Sequence, residues 1–306
     1  MLSTPSEMLS SVRDWLNEPS AAFWSDNDLM KRLHDAQQDL VRVASEASPS
    51  LFVATYDISL VTDQDLYDLP LNARLGTRWI AVENRISGTP YFYVYDTDLR
   101  RHLDVEQQSW PWQSGGTPHM SMQGDQVRIT PTPKESTSNG IRYMYNPSYG
   151  NMIQGTLTAT TTTTLTLGWS ASPNYVTTYG VVDNRDDYYN GMEVYVVSGT
   201  GAGQSRTISD YAGSTGVISV STAFTAISTT DSVVAVMSPV PEDMREVQVL
   251  SAARMASAKG SRVHNVISNE YYGSPGRPGR YHAFQAWLEE RQDWRGPTVE
   301  AYGQGF

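Results

Sequence analysis

The chain has 306 residues, a formal net charge of -11 and no cysteine. The lack of cysteine excludes disulfide bonds, thiolate catalysis and cysteine-ligated metal centres. The acidic balance argues against a sequence-specific DNA reader, because affinity for DNA depends on Lys and Arg side chains that neutralise phosphates. No segment approaches the ~20 apolar residues that span a bilayer, so we expect no membrane partner.

The N-terminal segment predicts a first helix with both start and stop signals. Thr4 offers an N-cap, Pro5 suits the first helical position, and Glu7 stands three residues after the cap, as in a capping box. Because Pro19 cannot continue a helix, this helix should end shortly before it.

A second helix should begin after Ser25 and end before Pro49. Ser25 is a capping residue and Asp28 stands at the third helical position. Trp24 should pack on Leu29 across the first turn, as a hydrophobic staple. One apolar stripe then follows the helix, and it consists of Leu29, Leu33, Ala36, Leu40, Val43 and Ala47.

Residues 51–147 are rich in β-branched and aromatic residues separated by turn signals, which predicts strands. Two late segments, residues 125–133 and 139–147, predict a strand pair joined by a polar loop. The aromatic residues of this region are compatible with a platform for sugar rings, but their alternation favours core and subunit-interface positions. They are Tyr91, Phe92, Tyr93, Tyr95, Trp110 and Trp112.

Composition changes sharply at Met152, where threonine, serine, glycine, valine and tyrosine replace most helix formers as far as Ser238. Short strands recur in this stretch at intervals typical of a β-sandwich or a small barrel. It begins with a threonine-rich run whose apolar face should contain Leu157, Ala159, Leu165 and Leu167. We therefore predict a separate all-β module.

Helical patterns return towards the C-terminus. One helix is predicted over residues 244–259 with Gly260 as its C-terminal cap, and a shorter one over residues 262–271. The last helix should span residues 280–293. Residues 294–306 should be extended unless a partner orders them.

These elements predict an α+β fold with a helical core built from N- and C-terminal helices, a β region, and an inserted all-β module like a sandwich or barrel. The adaptor-like core would comprise residues 1–151 and 239–306, and the inserted module residues 152–238. Because helices flank the β material at both ends, we expect the two ends to pack on each other.

No pattern in the chain demands an enzyme, a metal or a cofactor. The five histidines share no metal-ligand spacing, and no G-x-S-x-G nucleophile motif occurs. The glycine-rich residues 198–206 lack the ending of a phosphate loop and suit a turn between strands. The acidic residues 183–187 lack the glycine and closing glutamate of a calcium loop, so a solvated loop is favoured over a calcium site. We expect no catalytic, cofactor-binding or metal-binding residue.

Several phrases, taken in order, resemble the head–tail adaptor (connector) proteins of tailed bacteriophages. The phrase from Phe23 to Gln37 is similar to the opening of that family's second helix, Trp-Ser/Thr-Asp followed by leucines and Asn/His-Asp/Glu-Ala-Gln. The other similar phrases are YDLP at 67–70, VRITPTP at 127–133, RYMY at 142–145, PED at 241–243 and AARMA at 252–256. Residues 152–238 depart from a minimal adaptor, and within them residues 188–206 look like small β modules of virion and fibre proteins.

The resemblance implies a structural virion protein in the neck, assembled in the bacterial host cytoplasm. Its subunits would form a ring, commonly of about twelve copies, beneath the portal, and would line a channel for double-stranded DNA. The implied partners are the portal protein, a tail, stopper or nozzle protein, further copies of the chain and, through the β module, tail fibres. A C-terminal arm containing Trp294, Tyr302 and Phe306 would dock on the portal, where burial of its rings offsets the entropy lost on ordering.

Two other functions stay open on the sequence alone. A stopper, tail-completion or fibre-docking protein would also be a virion component. A carbohydrate-binding or carbohydrate-cleaving protein would use the β module, although such modules rarely need capped helical ends. Binding separates these classes, since an adaptor should bind portal and ignore glycans, whereas a lectin or glycosidase should do the reverse.

Overall fold

The computed structural model describes residues 4–18, 23–48, 51–70, 72–73, 81–85, 91–92, 94–95, 119–123, 126–130, 132–167, 179–229 and 231–292. Within these ranges the chain forms five α-helices and several sheets, one of them a closed six-stranded barrel. The predicted mixture of helix and strand is therefore confirmed. The chain divides into two compact units, a first unit of Met1–Leu51 with Tyr149–Phe306 and a second unit of Phe52–Ser148.

Helix α1 (Pro5–Leu16) begins with the predicted capping box, which is confirmed in both directions. Thr4 Oγ1 accepts the N–H of Glu7, and the Glu7 carboxylate accepts the N–H of Thr4 at 2.9 Å. The helix ends where Asn17 adopts the left-handed conformation, with φ of 55°. Helix α2 (Asp26–Ala47) ends before Pro49, as predicted.

Three helices follow near the C-terminus: α3 (Arg245–Ala256), α4 (Arg262–Tyr272) and α5 (Arg280–Gln292). The prediction that α3 continues to Lys259 with Gly260 as its cap is wrong, because Ser257 ends the helix in an extended conformation. The Ser257 hydroxyl bonds to the Arg254 carbonyl oxygen at 2.9 Å and to His264 Nδ1 at 2.8 Å. A serine that satisfies backbone groups locally competes with continued helix.

Helix α3 is the centre of the helical part of the first unit, where it packs against α1, α2, α4 and α5. Helices from the two ends of the chain therefore contact each other. Their buried apolar residues include Val12, Leu29, Leu33, Leu40, Val247, Leu250 and Ile267. Of the helices in the described ranges, none combines the length and apolar character that crossing a bilayer requires.

The second unit contains two four-stranded sheets. Its strands are β1 (Ala54–Leu60), β2 (Leu66–Asp68), β3 (Ala81–Asn84), β4 (Tyr91–Phe92), β5 (Val94–Tyr95), β6 (His119–Gln123), β7 (Gln126–Thr130) and β8 (Thr137–Tyr145). One sheet has the order β1-β8-β3-β4 and the other β2-β7-β6-β5. A buried cluster that includes Ile58, Tyr67, Ile129 and Tyr143 forms the core of this unit.

The predicted pairing of residues 125–133 with residues 139–147 is wrong, because β7 and β8 belong to different sheets. Instead β8 pairs with β1, and β7 pairs with β2. The β1–β2 connection and the β7–β8 connection, where the chain passes from one sheet to the other, contact each other. The Asp63 N–H donates to the Pro133 carbonyl oxygen at 2.8 Å, and Lys134 Nζ donates to Asp63 Oδ1 at 2.9 Å. Two distant chain segments thus pair along their length, which a local hairpin pattern does not reveal.

The barrel lies in the first unit and matches the predicted small-barrel form of the all-β module. Its strands are β9 (Ile153–Thr160), β10 (Thr164–Leu167), β11 (Glu193–Ser198), β12 (Ser205–Ala212), β13 (Val217–Val220) and β14 (Val233–Val236). They close in the order β10-β13-β12-β11-β14-β9, with every pair antiparallel. Within the glycine-rich residues 198–206, residues 199–204 connect β11 to β12, so the prediction of a turn there is confirmed.

One predicted inward residue of the barrel faces solvent. Leu157, Leu165 and Leu167 are buried as expected, but Ala159 is exposed. The β9–β10 pairing shifts register, with Thr166 opposite Ala159 and Leu167 opposite Leu157. The extra residue in β9 breaks strict alternation, so Leu157 and Ala159 do not share a face.

Candidate functional site

One buried arginine joins the end of α1 to the start of α2. Arg13, 7% exposed, donates through Nη2 to the Trp24 carbonyl oxygen at 2.9 Å and to Asp26 Oδ1 at 2.6 Å. Its Nε also donates to Asp26 Oδ1 at 3.2 Å. Hydrogen bonds between charged groups in a buried setting are among the stronger ones in proteins, so the start of α2 is fixed against α1.

A second ionic group fixes the residues just before α2. One carboxylate oxygen of Glu18 accepts the N–H groups of both Phe23 and Trp24, the latter at 2.9 Å. The two rings meet edge to face, with centroids 5.3 Å apart. Phe23 is nevertheless 82% exposed. The backbone beneath this apolar ring is therefore held while the ring itself faces solvent.

The four residues predicted as the helix-start staple lie at this turn. Ser25 caps α2: its Oγ accepts the Asp28 N–H at 3.2 Å and lies 2.6 Å from Asp28 Oδ2, to which it donates. Leu29 is completely buried and Trp24 is half-buried. Packing of Trp24 on Leu29 stays a prediction.

Four acidic residues lie near Phe23 in the sequence. Asp14 is exposed in the last turn of α1, Glu18 follows that helix, and Asp26 and Asp28 occupy the first turn of α2. We call this group, with Phe23, the acidic corner. Carboxylates at a helix N-terminus also suit the positive end of the α2 dipole.

Helices α4 and α5 carry a continuous aromatic cluster. Tyr271 contacts Tyr272 and Tyr281 with centroids 4.7 and 5.2 Å apart. Along α5 the series continues from Tyr281 to Phe284 at 6.2 Å and from Phe284 to Trp287 at 6.0 Å. Burial raises the pKa of the Tyr271 hydroxyl to about 12. The cluster joins the two helices through ring contacts beyond their apolar area.

Arginines cover both ends of the aromatic cluster. The Arg254 guanidinium lies 5.3 Å from the Tyr271 ring centroid and 5.2 Å from that of Tyr272. Arg291 lies 3.8 Å from the centroid of Trp287. Cation–π contacts of this kind hold both partners in place.

The connection between α4 and α5 is a tight hairpin of two short strands, β15 (Gly273–Ser274) and β16 (Arg277–Pro278). Gly273 has φ of 96°, in the region that favours glycine. A Cβ on Gly279 would lie 2.3 Å from the Gly273 nitrogen, so only glycine fits there. Ion pairs also hold the start of α5, since Arg280 lies 3.4 Å from the Glu246 carboxylate and 3.7 Å from that of Glu270.

Exposed apolar and basic side chains recur between Lys259 and Arg277, from the start of α4 to the hairpin. Val266 and Tyr272 are 52% and 48% exposed. Lys259, Arg262 and Arg277 are exposed in the same part of the chain. We call these five residues the basic face. Its charge is opposite to that of the acidic corner, although Arg277 pairs in part with Glu270 at 3.3 Å.

A buried polar seam connects the helices to the chain segments that enter and leave the barrel. Gln37 Nε2 donates to the Gly150 carbonyl oxygen at 2.7 Å. Gln248 Nε2 donates to the Leu33 carbonyl oxygen at 3.0 Å, and its Oε1 accepts from Ser238 Oγ at 2.7 Å. Hydrogen bonds between buried polar groups help to fix the register of the elements that they join.

A pocket of about 200 Å³ lies between α2 and residues 180–188. Its lining includes Lys31 and Asp183. Burial opposes ionisation of Asp183, but its hydrogen bonds and ion pair with Arg185, at 2.8 Å, outweigh burial and lower its pKa. In the part of the chain that the structure describes, no group of three or more His, Asp or Glu side chains could hold a metal ion.

Two sets of predicted residues cannot be placed. Trp294, Tyr302 and Phe306 of the predicted arm lie outside the described residues. The side chains of the predicted aromatic platform, Tyr91, Phe92, Tyr93, Tyr95, Trp110 and Trp112, also lie outside them.

Sequence reasoning missed the ionic support beneath the acidic corner. A signal was available, because Arg13 occupies the spacing of the apolar face formed by Leu9, Val12 and Leu16. A charge at such a position must find buried partners. No comparable signal marks Arg254, whose aromatic partners follow 17 and 18 residues later in the chain.

A family model described as SU10 adaptor protein matches residues 3–192. The match includes the acidic corner, the whole second unit and the first two barrel strands. It defines the class of the molecule as a structural adaptor protein of phage particles. The chain belongs to the SU10 adaptor protein family, which confirms the resemblance to phage head–tail adaptors. No curated protein matches the chain.

Proposed function

We propose that this protein is a head–tail adaptor subunit that forms a ring beneath the portal, joins capsid to tail and lines the DNA channel. The observation that carries the proposal is the family match over residues 3–192, more than half of the chain. Membership in a family of phage adaptors favours this function over a carbohydrate-binding or carbohydrate-cleaving protein. A stopper, tail-completion or fibre-docking role is the nearest alternative.

A closed ring of about twelve copies needs two different surfaces on each subunit, because its interfaces are heterologous. The acidic corner and the basic face support this proposal, since they differ in charge and both expose apolar side chains. The net charge of -11 supports a channel through which DNA passes without adhering.

The C-terminal arm, with Trp294, Tyr302 and Phe306, is proposed to dock on the portal. Helix α5 ends at Gln292, so the arm follows a helix whose start is held in place by the glycine geometry of the hairpin and by ion pairs of Arg280. A firmly held base limits the entropy that the arm loses on binding. Residues 152–238 are proposed as the inserted module, available to contact tail fibres or another tail component.

Mass photometry of the protein alone and with its phage's portal ring tests the proposal. A discrete mass increment equal to a whole ring of subunits is the expected result, and it would give the number of copies. Portal mixed with an unrelated acidic protein of similar mass serves as the control. No increment at any tested concentration would contradict the adaptor role, and binding to a glycan array instead would favour the carbohydrate alternative.

A further inference from the structure

Phe23 is the starting point, because it has the largest exposed fraction, 82%, among the large apolar side chains exposed in the described ranges. A single exposed apolar side chain is ordinary on a protein surface. Here, however, the backbone of Phe23 and Trp24 is fixed. Glu18 accepts the N–H groups of Phe23 and Trp24, and Arg13 binds the Trp24 carbonyl oxygen at 2.9 Å.

A ring on a backbone held in this way loses less conformational freedom on binding than a ring on an unsupported loop, which suits an anchor residue at an interface. Its surroundings define the chemistry of the partner. Glu18 and Asp26 are paired with Arg13, so the negative charge near Phe23 in the chain comes mainly from the exposed carboxylates of Asp14 and Asp28. The matching surface should therefore present an apolar contact with basic groups around it.

The chain itself carries such a surface on α4. Val266 and Tyr272 supply the apolar contact, and Lys259, Arg262 and Arg277 supply the positive charge. Tyr272 is also held in place, since Arg254 lies 5.2 Å from its ring centroid. The two surfaces are different, as required for a head-to-tail contact between identical subunits.

We propose that the acidic corner of one copy docks on the basic face of a second copy, with Phe23 inserted beside Val266 and Tyr272. This inference rests on the proposed ring and specifies its subunit contact. Charge complementarity identifies the second copy as the occupant. Rim charges then favour association at low ionic strength, and the Phe23 ring sets the lifetime of the contact.

Photo-crosslinking from position 23 tests the contact directly. The Phe23→p-benzoylphenylalanine variant is mixed in ¹⁴N and ¹⁵N forms and irradiated, both alone at high concentration and bound to the portal ring. The expected product joins position 23 of one copy to residues 259–277 of the other isotopic form. Crosslinks to the portal, to another segment of the chain, or none in either sample would overturn the proposal.

Variants give a second, independent readout. Phe23→Ser should weaken self-association, measured by analytical ultracentrifugation or by the cooperativity of assembly on portal, by about tenfold or more. Val53→Ser, at another exposed apolar side chain, is the matched control and should change nothing. Circular dichroism and the melting temperature show whether each variant is folded.

Charge reversal tests the pairing of the two surfaces. Asp14→Lys near the end of α1 and Arg262→Glu at the start of α4 both suit their helix dipoles, so both variants should fold. Each reversal alone should weaken self-association at low salt, and the two together in one chain should restore it. Lys134→Glu controls for net charge. Failure of the double variant to recover would contradict the pairing.

These experiments distinguish failure of the proposed subunit contact from failure of the proposed adaptor function. Absence of portal binding would remove the adaptor role, while crosslinking of the protein alone would still establish the contact. Normal ring formation on the portal by Phe23→Ser, with unchanged cooperativity, would overturn the contact and leave the adaptor role intact.

Discussion

The side-chain amide of Gln248, on α3, donates a hydrogen bond at 3.0 Å to the carbonyl oxygen of Leu33, on α2, although 215 residues separate them. Gln248 is completely buried, and its Oε1 accepts from Ser238 Oγ at 2.7 Å. One side chain thus joins a helix from each end of the chain to the segment that leaves the barrel.

Gln248→Leu should destabilise the protein by about 1–3 kcal/mol, because it keeps the volume but removes the partner of a buried hydroxyl. Urea unfolding followed by circular dichroism measures the change. Gln285→Leu, at an exposed glutamine of α5, is the control and should alter the free energy of unfolding by less than about 0.5 kcal/mol. Equal effects of the two substitutions would show that the buried bonds contribute nothing.

Acid sensitivity of the second unit should depend on Asp57. Hydrogen bonds from Arg142 at 2.8 and 3.0 Å hold the Asp57 pKa below its ordinary value. Partial burial acts in the opposite direction, and the positive charges of Arg142 and Arg85 lower the pKa further. A lowered folded-state pKa stabilises the fold above the unfolded value of about 3.9, and this stabilisation is lost as pH falls through the folded pKa.

Asp57→Asn should therefore melt at a lower temperature than the parent at pH 7, by an amount that corresponds to about 1 kcal/mol or less for this partly exposed pair. The difference should shrink as pH falls below about 4. Asp63→Asn removes a much more exposed ion pair with Lys134 and serves as the control. An unchanged difference between parent and Asp57→Asn from pH 7 to pH 2.5 would contradict this account.

Gly279→Ala should loosen the α4–α5 hairpin. A Cβ there would approach the Gly273 nitrogen to 2.3 Å and the Tyr271 carbonyl oxygen to 2.4 Å, so the backbone must shift. Gly276→Ala is the matched control, because Gly276 has positive φ of 82° but open space around it, which limits the cost to about 1–2 kcal/mol. Hydrogen exchange should show faster exchange along α5 in Gly279→Ala alone, and similar exchange in both variants would count against a close-packed hairpin.

Removal of residues 152–238, with Asn151 joined to Pro239 by a short Gly-Ser linker, should leave a folded helical core. The helices α1, α2 and α3 pack on one another directly, so they retain most of their contacts. Gln248 loses its contacts with Met152 and Ser238 in this variant, and Gln248→Leu should therefore destabilise it less than the full chain. Circular dichroism and cooperative unfolding check the result, and a molten or insoluble product would mean that the module is not independent.

Deletion of residues 294–306 should abolish portal docking without unfolding the subunit, because the deletion begins beyond the end of α5 at Gln292. Mass photometry with the portal ring measures docking, and the melting temperature measures folding. Substitution of Trp294, Tyr302 and Phe306 by serine, with the length kept, separates the contribution of the rings from that of the backbone. Unchanged docking by the shortened chain would refute the arm hypothesis.

Local signals in the sequence were sufficient for the helices at the N-terminus. Thr4 and Glu7 form the capping box that their spacing predicts, and Ser25 lies at the start of α2. The barrel strands were also readable, because their apolar and polar residues alternate between turn signals. Such signals act over a few residues, and no distant contact is needed to interpret them.

Long-range relationships were not readable from the sequence. The apolar pattern of β7 and β8 identified two strands, but their partners β2 and β1 lie about 60 to 90 residues earlier in the chain. The end of α3 at Ala256 depends on bonds of Ser257 that include the side chain of His264. The exposure of Phe23 depends on how Glu18 and Arg13 hold the turn.

Each of the six barrel strands is hydrogen bonded on both sides. An open sheet displays unsatisfied main-chain groups along its border, and identical borders brought close together tend to join into fibrils. A barrel avoids this hazard by its closure. In the proposed ring, many copies of this module would lie close together without joining through open strand edges.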